Sequence, residues 1–289
     1  TADPLNPGNM GLRLKTASTI SAIFLAVIGA TYLLFSMSLL SEFRTLEQAR
    51  TLKNLERVSQ AIDAVKADLG NRALDWGHWD ESLSFVQGSN AQYVESNLNY
   101  EALVPFELKH VIFLNRAGSI VYGAPVSAGG DVTQLHPSIL AALLGNEKIS
   151  AFLAQPSEAA LTGLLVLDGQ PTFVAVSSIT DSKMQRAPEG FVIFTRELSE
   201  QLQKRIASQT LLPLSFRARH AEDPFLYGDS SAGLYAVSEQ PETITGLGAI
   251  RDLAGNHIVT AQFSQPRDIL AQGVATRNSL VAVMALFLV

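Results

Sequence analysis

Cysteine is absent from all 289 residues, which excludes a disulfide framework, a thiol nucleophile and a cysteine-ligated metal. Histidine is sparse: the five, at 78, 110, 136, 220 and 257, are scattered, and no His-Glu-x-x-His zinc motif can be built from them. A Gly-x-Ser-x-Gly nucleophile turn and a glycine-rich phosphate loop are missing too. The chain is therefore expected to be no enzyme in its own right, with no cofactor and no metal. Charge is also in short supply. Asp, Glu, Lys and Arg make up 17% of the residues, against about a quarter in ordinary soluble domains. Acidic residues outnumber basic ones 27 to 21. With no basic cluster, nucleic acid and anionic lipid surfaces are poor partners.

The missing charge is concentrated in one place. Thr16 to Ser41 holds no charged side chain, and its middle carries Ile20, Ile23, Phe24, Leu25, Val27, Ile28, Leu33, Leu34 and Phe35. As a helix this stretch is about 39 Å long, enough to cross a hydrocarbon core of about 30 Å. A buried core helix is usually shorter, and the apolar part of a cleaved signal peptide spans only about 7–15 residues. Arg13 and Lys15 precede the stretch, and a positive flank stays in the cytoplasm. Residues 1–15 are thus expected inside, 16–41 in the membrane and 42–277 outside. A second uncharged run, Asn278–Val289, ends the sequence. It is too short to span and is read as the start of a second transmembrane helix, with a packed C-terminal helix as the plainer alternative. Residues 1–9 precede Met10-Gly-Leu-Arg-Leu-Lys15, which reads as a natural start. Setting aside Asp3, Arg13 and Lys15 leaves 19 basic and 26 acidic residues in the outer segment.

From Ser41 to about Gly70 the spacing predicts a helix. Leu55, Val58, Ile62, Val65 and Leu69 fall at intervals of 3 and 4, an apolar seam. Leu39, Phe43 and Leu46 make a similar stripe, out of register with it around Gln48–Thr51. Two readings fit: an amphipathic helix lying on its own domain, or a stalk pairing with a second copy in a homodimer. Strands follow. Lys109–Asn115 and Ser119–Gly123 flank the turn Arg116-Ala117-Gly118. Pro137–Leu144 reads as a short helix ended by Gly145. Ile149–Leu153 and Leu164–Leu167 read as strands, then the Asp168-Gly169 turn, then Thr172–Ser178 and Phe191–Thr195. Leu198–Ser208 is a polar helix. Four more strands are predicted at Leu212–Arg219, Leu234–Ser238, Thr243–Ile250 and His257–Ser264, as a second lobe or an extension of the first sheet. Pro266–Ala275 then reads as a helix. The fold class is α+β: a membrane helix, a long stalk helix, a PAS-like or Cache-like antiparallel sheet with a helical face, and extra C-terminal strands.

Both tryptophans of the chain lie in one stretch, Asn71-Arg-Ala-Leu-Asp75-Trp76-Gly77-His78-Trp79-Asp80-Glu81-Ser-Leu-Ser-Phe85, which continues through Tyr93 to Asn97-Leu98. Trp79-Asp80, Phe85, Tyr93 and Asn97-Leu98 resemble the pattern of the CHASE family of extracellular sensory domains, type 4. The Val111–Tyr122 hairpin resembles that family's strand–D-x-x-G–strand step, with Asn115 where aspartate is usual. Gly190-Phe-Val-Ile-Phe-Thr-Arg196-Glu-Leu198 resembles its closing strand and helix. The resemblance covers roughly residues 55–205. It implies a bacterial or archaeal receptor, its sensor between two membrane helices in the cytoplasmic (inner) membrane and facing the periplasm. Outputs of the family lie in the cytoplasm as diguanylate cyclase, cyclic-di-GMP phosphodiesterase or histidine kinase modules, none of which is in this chain. Cyclic-di-GMP turnover is the output first expected, with a histidine kinase as the alternative. A membrane-tethered hydrolase or a structural domain are the competing classes.

Trp76, Trp79, Asp80, Tyr93 and Asn97 are the candidate site residues. The tryptophans either anchor the core or wall a ligand cleft, with Asp80 and Asn97 as its orienting polar groups. The resemblance favours Trp79 and Asp80 as holding the first helix onto the sheet. Asp75, His78 and Glu81 stand at three-residue spacing, as metal ligands on one helical face do. They lack a fourth ligand, and Gly77 between them breaks a helix. The partner is a small-molecule or protein signal that the sequence does not identify.

Overall fold

The computed structural model describes residues 7–127, 135–220, 223 and 235–286. The chain divides into two compact units. One comprises residues 1–51, 241–243 and 266–289, the other residues 52–240 and 244–265.

The first unit holds the start of helix α1, which runs Pro7–Gly77, and helix α8, Asp268–Leu286. Along α1 the apolar side chains Ile20, Ile23, Leu25, Leu33 and Leu34 point outward, each more than half exposed. Among the described residues α1 is the one helix long and apolar enough to cross a membrane. Where α1 and α8 meet, the Phe43 ring sits so close to Gly273 that a Cβ there would fall 2.7 Å from it. Beside this contact the buried Glu47 carboxylate accepts from Arg267 Nε at 2.7 Å and from the Leu270 amide at 3.3 Å. An ion pair this buried is costly to break by removing one partner. The predicted transmembrane start at Asn278 lies within α8, and residues 287–289 lie outside the described residues.

The second unit is built on a five-stranded sheet of order β2-β1-β5-β4-β3: β1 His110–Asn115, β2 Ile120–Pro125, β3 Leu161–Leu167, β4 Gln170–Ile179 and β5 Gly190–Glu197. Every pairing is antiparallel, as expected of a PAS-like or Cache-like core. Side chains alternate across a strand, and both faces here are covered. Val111, Phe113, Ala175, Val192 and Phe194 join the core formed with α1. Ile112, Leu114, Val174, Val176 and Ile193 pack with helices α5, Pro137–Leu144, and α6, Glu147–Ala154. Burial on both faces explains why these strands read as continuous apolar runs.

The seam Leu55, Val58, Ile62, Val65 and Leu69 is 0–7% exposed and lies in the core of its own domain. Of the two readings of that helix, the stalk meeting a second copy through this seam is therefore wrong. The apolar stripe is already covered by the sheet. Ile149–Leu153 is likewise corrected from strand to helix. The Asn146 side chain accepts from the Lys148 and Ile149 amides and starts α6, and Ile149 and Phe152, three apart, face the sheet.

After helix α7, Glu200–Thr210, the last four strands form their own sheet of order β6-β9-β8-β7. These are β6 Leu214–Ala218, β7 Tyr235–Glu239, β8 Thr243–Arg251 and β9 His257–Pro266. Leu234, the predicted start of β7, lies outside the described residues. Ile250, Val259, Ala261 and Phe263 carry this sheet into the core shared with α1.

Candidate functional site

Helix α1 ends at Gly77, a position where only glycine fits. A Cβ would lie 2.4 Å from the Ser178 carbonyl oxygen, and the Gly77 carbonyl accepts from the Thr180 amide at 2.9 Å. Two residues on, Trp79 is extended (φ −115°) and helix α2, Asp80–Val86, begins. This reversal gathers the aromatic residues. Trp76 meets Phe194, Trp79 and Phe106 edge-on at 5.4, 5.9 and 6.1 Å between ring centres. Tyr93, which opens helix α3 (Tyr93–Asn97), stacks on Phe85 at 4.5 Å and meets Phe113 edge-on at 5.6 Å. Such pairs contribute about 0.5–1.5 kcal/mol each beyond area burial.

The polar candidates take separate tasks. Tyr93 is fully buried, and its hydroxyl shares a 2.6 Å hydrogen bond with Ser82 Oγ. Burial pushes its pKa up to about 12, so the hydroxyl stays neutral. Asp80 is exposed and accepts from the Ser182 amide at 3.0 Å and the Ser182 hydroxyl at 2.9 Å. Those bonds hold its carboxyl below the usual range and latch α2 to the loop after β4. Asn97 donates to the Glu81 carboxylate at 3.3 Å. Trp79 is 39% exposed and meets Trp76 and Tyr93 by its ring alone. Asp75 is exposed, and among the described residues no three His, Asp or Glu side chains are grouped to hold a metal.

Beside this cluster is a cavity of about 250 Å³. Val94 and Leu98, Leu103 from helix α4 (Tyr100–Leu103), Val111 from β1, and Tyr122 and Ala124 from β2 form its walls. None of Trp76, Trp79, Asp80, Tyr93 or Asn97 lines it. Tyr93 is connected to its wall through Phe85, which stacks on Tyr93 and meets the Tyr122 ring at 6.5 Å. Burial raises the Tyr122 pKa, leaving a neutral hydroxyl at the cavity among mostly apolar walls. Tyr122 and Val111 escaped the reading of the sequence, where they appear only as strand positions of the hairpin. Val94 and Leu98 carried a signal in their helical spacing beside Asn97.

A second polar centre was also missed. Arg196 on β5 is buried, with Nη1 2.9 Å from Asp68 and Nη2 donating to the Phe106 carbonyl at 2.7 Å. Arg72 binds the same carboxylate at 3.0 Å and lies over the Phe106 ring. Burial pushes the Asp68 carboxyl up, but the bonds from the two arginines more than offset this and hold it low. This group ties α1 to the closing strand. In the hairpin turn, Asn115 Oδ1 accepts from the Ala117 and Ser119 amides. The turn uses only an acceptor oxygen, so asparagine serves where aspartate is usual.

Residues 61–217 match the CHASE4 domain family, more than half of the chain. The methanogenesis regulatory histidine kinase FilI of Methanothrix harundinacea (strain 6Ac) is 26% identical over 262 residues, covering 90% of this chain and 29% of that protein. The chain thus spans less than a third of that relative's length. Among solved structures, the sensory domain of the Campylobacter jejuni chemoreceptor Tlp3 is similar at 12% identity and a TM-score of 0.49, over 82% of this chain and 98% of that one. The periplasmic domain of Vibrio cholerae LuxQ is similar at 11% identity and a TM-score of 0.44, over 75% and 99%.

Proposed function

The chain belongs to the CHASE4 family, and from that premise we propose that it is the extracytoplasmic ligand-sensing input region of a transmembrane receptor. Helix α1 anchors it in the cytoplasmic membrane, and in a double-membraned cell the sensor faces the periplasm. The observation that carries this reading is the cavity walled by α3, α4, β1 and β2 on a PAS-like sheet. Its mostly apolar walls and the neutral Tyr122 hydroxyl suit a small molecule with one hydrogen-bonding group. Tyr93 supports that wall through Phe85. The output lies outside this chain. FilI, similar over 90% of the chain, is named a histidine kinase, which favours kinase control over the cyclic-di-GMP turnover that the resemblance also allows.

A receptor passes ligand energy inward only if two states place its membrane helices differently, and a homodimer with paired α1 helices provides such an element. Since the apolar seam is covered, the copies meet along the outward positions Lys53, Glu56, Gln60 and Ala67. Cysteine introduced at Gln60 should crosslink between copies on oxidation, and at Ile62 it should not; the reverse pattern would refute this arrangement. Orientation is tested with Ala91→Cys, the chain's sole thiol at an exposed site. A membrane-impermeant maleimide should label it on intact spheroplasts. Labelling only after permeabilisation would overturn the reading.

A further inference from the structure

A second cavity, about 390 Å³, is larger than the one at Tyr122. It lies where α1 passes between the edge strand β3 and the second sheet, and all its lining residues belong to the second unit. Val58, Ile62, Ile250, Leu253 and Ala261 give it an apolar body. Its volume falls in the range of sites for small organic molecules, about 300–1,000 Å³.

Its polar groups divide sharply by whether they are engaged. Lys66 is paired with Asp63 at 3.0 Å. The Asp252 carboxylate accepts from the Asn256 amide at 2.7 Å and from its side-chain nitrogen at 3.2 Å. Arg251, an exposed residue of the cavity lining, by contrast makes no side-chain hydrogen bond or ion pair among the described residues. Tyr235 also lines it, with a buried hydroxyl that has no partner among the described residues. That hydroxyl is closed to solvent, so it is not offered to a molecule filling the chamber. The site therefore offers an apolar chamber and one cation, Arg251, that no described side chain pairs with.

We propose that this cavity is a second ligand site, separate from the one walled by β1 and β2, and that it takes an amphipathic monocarboxylic acid. The apolar body fills the chamber, and the carboxylate is met by the Arg251 guanidinium in a charge-assisted hydrogen bond. An amine is disfavoured, because the available charge is positive and both nearby carboxylates are taken. An uncharged hydrocarbon leaves Arg251 as it is.

The probe is 4-(4-methoxyphenyl)butanoate, which has a carboxylate at one end and an ether oxygen at the other. Its primary amide is the neutral control. Binding to the full chain in nanodiscs is followed by ligand-observed NMR, with empty nanodiscs subtracted. The acid should bind saturably and the amide about tenfold more weakly, the scale of one charge-assisted contact. Arg251→Gln should weaken the acid by a similar factor and leave the amide unchanged. Gly248→Val should abolish both. The first added carbon there meets only ordinary contacts, Leu55 at 3.5 Å and Tyr235 at 3.8 Å, and the branch then fills the chamber. No saturable binding of the acid, equal binding of acid and amide, or an unaffected Arg251→Gln variant would each overturn the proposal. Ala124→Leu, which fills the cavity behind Tyr122, should leave this binding intact. Loss in that variant alone would place the probe in the other cavity and overturn the second site without touching the sensor reading.

Discussion

Helix α1 follows two different rules along its length. Between Ile20 and Met37 most of its large apolar side chains are exposed, Leu34 and Met37 at 71%. Between Leu55 and Leu69 the apolar residues keep to one stripe, and Leu55 and Leu69 are at most 1% exposed. Both stretches are helix, but the second carries Glu56, Arg57, Asp63, Lys66 and Asp68 on its open face while the first carries no charge at all. A helix that is apolar all round suits hydrocarbon, which makes no distinction between its faces. A striped helix has water on one side and a core on the other. The contrast teaches that leucine is laid out in one stretch as hydrocarbon would allow and, twenty residues later, as a core on one side requires.

Truncation is the harshest way to break that comparison. Leu69→Ala should cost the sensor domain about 2–5 kcal/mol, while Leu33→Ala should leave its unfolding unchanged. Urea titration of the full chain in nanodiscs, followed by tryptophan fluorescence, reads this directly because both tryptophans lie in the sensor part. Equal shifts would mean that the two stretches are not held by different surroundings.

Next in size is the buried polar pair. Tyr93→Phe strands the Ser82 hydroxyl inside the core and should cost about 1–3 kcal/mol in the same titration. An unchanged midpoint would show that water reaches Ser82 and that the layer behind the cavity is looser than its aromatic packing implies.

His110 gives a milder, pH-dependent contrast. Its ring is buried and bonded to Thr195 Oγ1 at 2.8 Å. Burial first, then the charge of Lys109, lowers its pKa to about 4 from the ordinary 6.5. Between those values the unfolded chain binds the proton more readily, so stability rises with pH there. The contribution is complete above about 6.5 and should be lost as pH falls toward 4. His110→Gln should flatten that slope. A variant with the parent's full pH dependence would assign the effect to other groups.

The smallest effect is expected at Asp80, whose carboxylate is exposed. Asp80→Ala removes both bonds to Ser182. Hydrogen exchange at the Ser182 amide should quicken while the unfolding midpoint barely moves. A large drop in the midpoint would instead make the Asp80 latch part of the cooperative core.

Asp80 and its neighbours show how unevenly the sequence could be read. Clustered tryptophans and spaced aromatics pointed to the stretch where α1 reverses, and Tyr93 and Phe85 do stack there. Their chemistry did not follow from spacing, because Ser182 is 102 positions from Asp80 and Phe194 more than a hundred from Trp76. Nor did the cavity, whose Tyr122 wall is indistinguishable in sequence from any strand tyrosine.

Local signals determined what local physics controls. Twenty-six uncharged residues predict a membrane helix by length alone. Asp168-Gly169 predicts the tight turn, and both residues have positive φ, 48° and 75°, as a two-residue hairpin turn requires. Apolar runs and turn residues placed the nine strands found among the described residues, and a tenth, Ile149–Leu153, that is helical. Tertiary structure decided where the same local pattern is stable in two ways. An apolar run as short as Ile149–Leu153 suits strand or helix alike, and the Asn146 cap together with the sheet face beneath makes it α6. A 3–4 apolar seam fits a second copy as well as its own sheet. The choice rests on contacts between residues far apart in the chain, because burial is an energy shared by two surfaces and the sequence of one stretch describes only one of them.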